Sequence, residues 1–267
     1  MSLVFSNDDF MFFKDILIEA GTAARKIQQE PIMVSRKADR SIVTEADLMV
    51  QDLLMRRISE RHGDYTFITE ENNCGAVPDI DDDTVTVVID PIDGTAMFSM
   101  HLPEWCVSVG IFRGYTPVYG FVYSPGCDMF FYNDDNSSYL NDRPVRADRD
   151  IAIDSETNIF IASEAGSRFD IHFPGKIRNL GSTALHACLA VDNVRNRTLA
   201  FLGKSRLWDW AGAIPVIQKA GAMISYISGE DVDVKAVVRN DFRLLDYVIV
   251  YNSDDFESVR KIFRKRQ

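Results

Sequence analysis

Two aspartates stand on either side of a proline in the segment 90–95 (DPIDGT), directly after an apolar run. That run, 84–89 (TVTVVI), is rich in β-branched residues and predicts a buried strand. We expect Pro91 to end the strand, because its ring sets φ and it has no N–H to donate. Gly94 then allows a close backbone approach, and Thr95 can begin a helix. Paired carboxylates suit a hard cation such as Mg²⁺, and N–H groups at a helix start suit phosphate; an ordinary turn with an aspartate cap would also explain the segment.

Further carboxylates occur where other elements are expected to end or begin. Glu70 and Glu71 follow the strand-like run 65–69, and Asp209 stands between two tryptophans at the start of a helical pattern. Acidic residues at the end of an apolar strand need partners. We therefore expect four carboxylates to converge, those of Glu70, Asp90, Asp93 and Asp209. Four ionised carboxylates repel one another strongly, so the site would need two or three divalent cations, which would also present positive charge to a phosphate.

The charge balance of the 267-residue chain is acidic, with Lys+Arg 29 against Asp+Glu 40 and a net charge of −11. Such a surface repels phosphate backbones and anionic lipids, so we expect neither nucleic-acid nor membrane binding. The four cysteines are too scattered for a disulfide framework or a zinc site. The first residues, MSLVFSNDDF, lack the pattern of a signal peptide, and no apolar run reaches membrane-spanning length. These features predict a soluble cytoplasmic protein with reduced thiols.

The hydrophobic pattern changes along the chain between helical and strand-like periods. It predicts helices at 10–27, 44–63, 182–194, 209–220 and 254–264. It predicts strands at 65–69, 84–90, 106–112, 117–124, 128–132, 158–163, 198–202, 223–228 and 247–251. Tight turns between the strands at 106–132 indicate an antiparallel meander. The polar, turn-rich segment 133–154 predicts a boundary between an N-terminal α+β half, 1–145, and a C-terminal α/β half, 146–267.

Three segments taken together resemble the inositol monophosphatase superfamily of Mg²⁺-dependent, Li⁺-sensitive small-molecule phosphatases. They are 90–95 (DPIDGT), 69–71 (TEE) and 207–222 (LWDWAGAIPVIQKAGA). The segments Lys37-Ala38-Asp39, 43–47 (VTEAD) and 181–191 (GSTALHACLAV) fit the same pattern, so the resemblance covers nearly the whole chain. It implies the layered αβαβα sandwich shared with fructose-1,6-bisphosphatase, a homodimer, and a small phosphorylated metabolite as substrate.

The resemblance also implies a role for each matching residue. Two or three Mg²⁺ would be held by Glu70, Asp90, the carbonyl of Ile92, Asp93 and Asp209, with Asp47 helping to bind a third, weaker ion. The catalytic residues would be Glu70, Thr95 and Asp93, with Glu70 and Thr95 orienting or deprotonating a water that attacks phosphorus directly, without a phospho-enzyme. Substrate and phosphate would be contacted by Asp93, Gly94, Thr95, Gly181, Ser182, Thr183 and Asp209.

Two of these assignments compete with purely structural roles. Thr44-x-x-Asp47 is also the signature of a helix capping box. Gly181, Ser182 and Thr183 would serve equally well as a helix N-cap. Both alternatives stay open at the level of sequence.

The substrate is the least determined feature. Inositol-specific members carry an acidic residue about two turns before the WD motif, whereas the stretch 199–206 (LAFLGKSR) has none. Lys204 and Arg206 would favour a second anionic group, as in a bisphosphate, unless they lie on a solvated edge. The main hypothesis is an inositol-1-phosphate-like monoester; histidinol phosphate, fructose-1,6-bisphosphate and 3′-phosphoadenosine 5′-phosphate are alternatives. A non-catalytic sensor of a metal and a phosphorylated ligand is a hypothesis of a different class.

Overall fold

The computed structural model describes residues 3–32, 34–36, 42–71 and 78–266. The motif residues Lys37, Ala38 and Asp39, and Cys74, lie outside these ranges. The other cysteines, Cys106, Cys127 and Cys188, are free thiols.

Helices and strands alternate along the chain, with most strands in its middle. The helices are α1 (Asn7–Gln28), α2 (Glu45–Arg61), α3 (Thr95–Ser99), α4 (Ala165–Arg168), α5 (Thr183–Val191), α6 (Asn193–Asn196), α7 (Trp208–Ala211), α8 (Ala213–Ala220), α9 (Val234–Arg239) and α10 (Phe256–Arg260). The strands are β1 (Val34–Arg36), β2 (Ile42–Thr44), β3 (Thr66–Thr69), β4 (Val85–Asp93), β5 (Cys106–Arg113), β6 (Thr116–Ser124), β7 (Met129–Asn133), β8 (Ser138–Leu140), β9 (Arg143–Val145), β10 (Asn158–Ile161), β11 (Phe169–Ile171), β12 (Lys176–Arg178), β13 (Thr198–Gly203), β14 (Met223–Tyr226), β15 (Val248–Tyr251) and β16 (Phe263–Lys265).

The strands form two main sheets. The large sheet has the order β3-β4-β5-β6-β7-β8-β9, in which β3 runs parallel to β4 and each later neighbour is antiparallel, so the predicted meander is confirmed. The small sheet has the order β12-β10-β13-β15-β14. In it β12, β10 and β13 run parallel, while β15 is antiparallel to both of its neighbours.

The alternation of apolar residues places helices on both faces of each sheet. Val87 and Ile89 of β4 pack with helices α1 and α2 in one core cluster, whereas Val88 packs in a second cluster with α5, α7 and α8 between the sheets. A third cluster covers the other face of the small sheet with residues of α4 and α10, including Ala165 and Val259. Because side chains alternate along a strand, one β-branched run serves two cores. The result is the expected αβαβα sandwich.

Several element predictions were wrong in detail. Strand β4 does not end at Pro91 but continues to Asp93. The helix predicted at 209–220 is divided into α7 and α8 at Gly212, and the one at 182–194 into α5 and α6. The closing helix predicted at 254–264 is the short α10 followed by β16, and the turn-rich segment 133–154 contains β8 and β9. Short strands carry too few residues for a periodic signal.

The boundary between the halves 1–145 and 146–267 stays a prediction. The large sheet ends at Val145 and the small sheet begins at Asn158. Among the described helices, none combines the length and the apolar character that crossing a bilayer requires.

Candidate active site

An irregularity in strand β4 brings two carboxylates to the same side of the large sheet. Asp90 lies opposite Ser108 of β5, but Asp93 lies opposite Cys106, so three steps along β4 match two along β5. Residues three apart on a regular strand point to opposite faces. The extra residue is a bulge, which re-aims the side chain of Asp93 to the side of Asp90. Both aspartates are buried.

Helix α7 contributes a third carboxylate. One oxygen from each of Asp90, Asp93 and Asp209 lies within 4.8 Å of the others, and Asp209 is partly exposed. The N–H of Arg206 donates to Asp209 Oδ2 at 2.7 Å, which sets the orientation of this side chain.

Two strand glycines allow α7 and α8 to approach the large sheet closely. A Cβ atom at Gly110 of β5 would lie 2.4 Å from the carbonyl oxygen of Ala211, and one at Gly120 of β6 would lie 2.0 Å from that of Gly212. Both distances are far below van der Waals contact, so only glycine fits. Sequence reasoning missed this contact, although an isolated glycine in a strand is a known signal of close backbone approach.

Glu70 completes the acidic group at the end of strand β3. Its N–H donates to the carbonyl of Ile89 at 3.2 Å, which extends the pairing of β3 with β4 by one residue. The negative charge of Glu70 contributes to raising the pKa values of Asp90 and Asp209. The structure thus brings three of the four expected carboxylates within 4.8 Å of one another, and Glu70 interacts with two of them through its charge.

The second oxygen of Asp93 is bound by the segment that starts α5. The Ser182 hydroxyl donates to Asp93 Oδ2 at 2.5 Å, and the N–H of Ala184 donates to the same oxygen at 2.6 Å. Ser182 is also the N-cap of α5, accepting from the N–H of Leu185 at 3.2 Å. Gly181 precedes it with φ +86°, and Thr183 is the first helical residue. This segment therefore orients Asp93, a contact that the sequence pattern did not indicate.

Asp47 and Thr95 meet beside the carbonyl of Ile92. Asp47 Oδ2 accepts from the N–H and the hydroxyl of Thr44, at 2.8 and 2.6 Å, so the capping box is present. The Thr95 hydroxyl lies 3.0 Å from the Ile92 oxygen and 3.5 Å from Asp47 Oδ1. Asp47 therefore caps α2 through Oδ2, while its Oδ1 lies beside Thr95 in the candidate site.

The electrostatics of the cluster match a cation site. Asp90 Oδ2 is buried and has no hydrogen-bond partner among the described residues. Burial, together with the charges of Glu70 and Asp93, raises the pKa of Asp90 well above its usual value. Burial and the charge of Asp209 raise the pKa of Asp93 to about 7, and burial and the charge of Glu70 raise that of Asp209 to about 6. Carboxylate and carbonyl oxygens are the ligands of Mg²⁺, so the residues present fit this ion.

We expect the metal-free protein to lose stability as the pH rises towards neutrality. Folding raises the pKa values of Asp93 and Asp209 above 3.8, so the folded state binds more protons than the unfolded chain. The stabilisation is fully present below the unfolded value and is lost as the pH rises through about 6 and about 7. Thermal unfolding in EDTA across this range measures the effect, and the control is the same series with Mg²⁺, which should flatten the decline. An EDTA series whose Tm rises over this interval would contradict the raised pKa values.

Similar sequences point to one family. The sequence model that describes the inositol monophosphatase family matches residues 11–259 of this chain. The chain is 30% identical over 237 residues to inositol monophosphatase 1 of Solanum lycopersicum, covering 82% of this chain and 85% of that protein. It is 27% identical over 245 residues to inositol-1-monophosphatase of Synechocystis, covering 83% of this chain and 81% of that one.

Solved structures show the same fold at lower identity. An IMPase of Thermotoga maritima superimposes with a TM-score of 0.78 and 22% identity, covering 96% of each chain. Staphylococcal inositol monophosphatase-1, soaked in LiCl as an inhibitory complex, gives a TM-score of 0.82 with 14% identity and 100% coverage of both chains. With a family match over most of its length, this chain belongs to the inositol monophosphatase family of Mg²⁺-dependent phosphoric monoester hydrolases.

Proposed function

We propose that this protein hydrolyses a small phosphate monoester at the cluster around Asp90. The observation that carries the proposal is the meeting of three carboxylates within 4.8 Å, one of which has a buried oxygen without a hydrogen-bond partner among the described residues. The residues proposed to hold two or three Mg²⁺ are Glu70, Asp90, Ile92 through its carbonyl, Asp93, Asp209 and, for the weakest ion, Asp47.

Bound Mg²⁺ supplies the positive charge that cancels the carboxylate repulsion, attracts the phosphate and makes water more acidic. Thr95 and Glu70 are proposed to orient and deprotonate the attacking water. The Thr95 hydroxyl has one proton, which it can donate to the Ile92 carbonyl, and its lone pairs then remain to accept from water. Glu70, at the end of β3, is the carboxylate proposed to take the proton. The water oxygen bonds to phosphorus, the ester P–O bond breaks in line, and the leaving oxygen takes a proton from solvent water.

The turn at Gly94 is proposed to bind the phosphate through the N–H groups of Gly94 and Thr95. Gly94 has φ +96°, which disfavours any other residue, and a Cβ there would lie 3.1 Å from the Glu104 carbonyl oxygen. Asp93, Asp209 and the segment Gly181, Ser182 and Thr183 are proposed to contact the substrate. For Ser182 and Thr183 the support is their position beside Asp93.

An inositol-1-phosphate-like monoester is the first candidate substrate, because the two relatives described above are named an inositol monophosphatase and an inositol-1-monophosphatase. Arg206, one of the residues that suggested a second anionic group, donates to both the carbonyl and the carboxylate of Asp241. Its charge is therefore compensated within the protein, which weakens the case for a bisphosphate.

We also propose a cytoplasmic homodimer, on resemblance alone; light scattering would measure the assembly.

Phosphate release from a panel of monoesters tests the proposal. The panel contains inositol-1-phosphate, histidinol phosphate, fructose-1,6-bisphosphate, 3′-phosphoadenosine 5′-phosphate and glycerol-2-phosphate. We expect release with Mg²⁺, none with EDTA, and inhibition when Li⁺ is added to Mg²⁺. Metal binding by calorimetry without release from any monoester would instead favour the sensor hypothesis.

A further inference from the structure

A cleft opens at the carboxyl ends of the parallel strands in the small sheet. Asn179 follows β12, Ser163 and Glu164 follow β10, and Lys204 follows β13, and all of them line this cleft of about 120 Å³. Ligands of open α/β sheets bind outside the carboxyl ends of the strands. The cleft is smaller than the roughly 300 Å³ of a typical drug-sized pocket, so it suits a leaving group of few atoms rather than a nucleoside.

The cleft is continuous with the candidate active site. Ser182, which donates to Asp93 Oδ2 at 2.5 Å, lines it. Ser205 also lines it, and its side chain stabilises the charged form of Asp209. A phosphate held beside Asp93 and Asp209 would therefore lie next to this cleft, which is available to the alcohol part of its ester.

Two side chains of opposite charge, Lys204 and Glu164, line the cleft without pairing with each other. Lys204 Nζ donates to the carbonyl of Leu245 at 3.0 Å, and an ammonium has two more N–H groups to donate. Within the described residues Lys204 forms no ion pair, and the carboxylate of exposed Glu164 has no hydrogen bond or ion pair. Arg206, two residues after Lys204, is by contrast engaged by Asp241. The cleft thus offers one available cation and one available anion.

We propose that this cleft binds a zwitterionic leaving group, so that the substrate is the phosphate ester of a small hydroxy amino acid. Glu164 accepts from the ammonium of the substrate, and Lys204 donates to its carboxylate. A second phosphate would gain from Lys204 but would be repelled by Glu164. A neutral polyol would hydrogen-bond to both residues without the charge attraction that favours a zwitterion at both ends. The inference rests on the proposed monoester hydrolysis and changes only the alcohol; the products are inorganic phosphate and the free hydroxy amino acid.

Substrates that lack one charge separate the two roles. The panel is O-phosphoserine, phosphoethanolamine (no carboxylate), the phosphate ester of 3-hydroxypropanoate (no ammonium), inositol-1-phosphate and phenyl phosphate. We expect the wild type to favour O-phosphoserine over inositol-1-phosphate by about tenfold in kcat/KM, the size of one charge-assisted hydrogen bond. Glu164→Gln should lower kcat/KM for phosphoethanolamine by about tenfold more than for the hydroxypropanoate ester, and Lys204→Met should do the reverse.

Matched controls exist elsewhere on the surface. Lys219 also donates to a backbone carbonyl, that of Asp135, and Glu230 is an exposed glutamate outside the cleft. Neither Lys219→Met nor Glu230→Gln should shift the ratios between substrates. A wild-type preference for inositol-1-phosphate, or equal losses on both single-charge esters, would overturn the zwitterion inference while leaving monoester hydrolysis intact. No Mg²⁺-dependent hydrolysis of any of these esters, phenyl phosphate included, would overturn the proposed function and this inference with it.

Discussion

Asp90→Asn is expected to cost about three orders of magnitude in kcat/KM, the upper range for removing one preorganised electrostatic group, while making the metal-free protein more stable. The first effect follows from losing the anionic oxygen that has no other described partner. The second follows because Glu70, Asp93 and Asp209 repel Asp90 in the folded state. Removing a carboxyl group whose ionisation is opposed in the folded state by burial and by its neighbours should raise the free energy of unfolding by about 1–2 kcal/mol at about pH 8 in EDTA.

The opposite signs of these two effects make the experiment decisive. Phosphate release gives the first, and urea unfolding in EDTA gives the second. Asp82→Asn removes the same charge from an exposed turn outside the candidate site and should change neither quantity by much. If Asp90→Asn destabilised the metal-free protein, or kept its turnover within tenfold of wild type, Asp90 would be a structural residue rather than a cation ligand.

Gly120→Ala should damage the site without altering any of its polar atoms. The new Cβ would lie 2.0 Å from the carbonyl oxygen of Gly212 and 2.9 Å from its carbonyl carbon. Neither atom belongs to a flexible side chain, so α8 and the adjoining α7 must shift. We expect a loss of about 3 kcal/mol in the free energy of unfolding, the upper range for overpacking. We also expect weaker Mg²⁺ binding, because α7 carries Asp209.

Urea unfolding and calorimetric Mg²⁺ titration measure these two losses. The matched substitution is Gly63→Ala, whose Cβ would meet nothing closer than the Ser59 carbonyl oxygen at 3.5 Å. That variant should remain within about 0.5 kcal/mol of wild type, as surface substitutions usually do. Normal stability in Gly120→Ala would mean that the helix does not rest on this strand as closely as described.

The candidate carboxylates could be predicted from the sequence because the ability to bind a cation depends on the residue type, which the sequence gives directly. Asp90 and Asp93 stand at the end of an apolar run, and Glu70 stands at the end of another. To predict that these carboxylates lie close together, it was enough to assume that neighbouring strands end at a common edge of the sheet. The bulge could not be predicted, because the extra residue between Asp90 and Asp93 is defined by the register of β5. Pro91 was therefore interpreted as a strand end when it lies inside the strand.

Contacts between segments that are far apart in the sequence could not be predicted from the sequence pattern either. The hydroxyl of Ser182 and the N–H of Ala184 bind Asp93 across 89 and 91 residues. Nothing in the local pattern distinguishes such a serine from an ordinary N-cap. The two basic residues before the WD motif likewise look equivalent in sequence. Their roles differ because Asp241, from a separate loop, pairs with Arg206, whereas Lys204 lines the cleft.

The long separation between Asp93 and the residues that bind it bears on how the protein is made. A chain synthesised from its amino terminus can pair β4 with β5 before Ser182, Ala184 and Asp209 have left the ribosome. Because α5 and α7 pack on this side of the sheet in the complete chain, we expect Asp90 and Asp93 to face solvent at that stage, with their mutual repulsion screened by water. The repulsion becomes strong only when the last third of the chain covers them. The nascent protein therefore has no need of a cation until its synthesis is nearly complete.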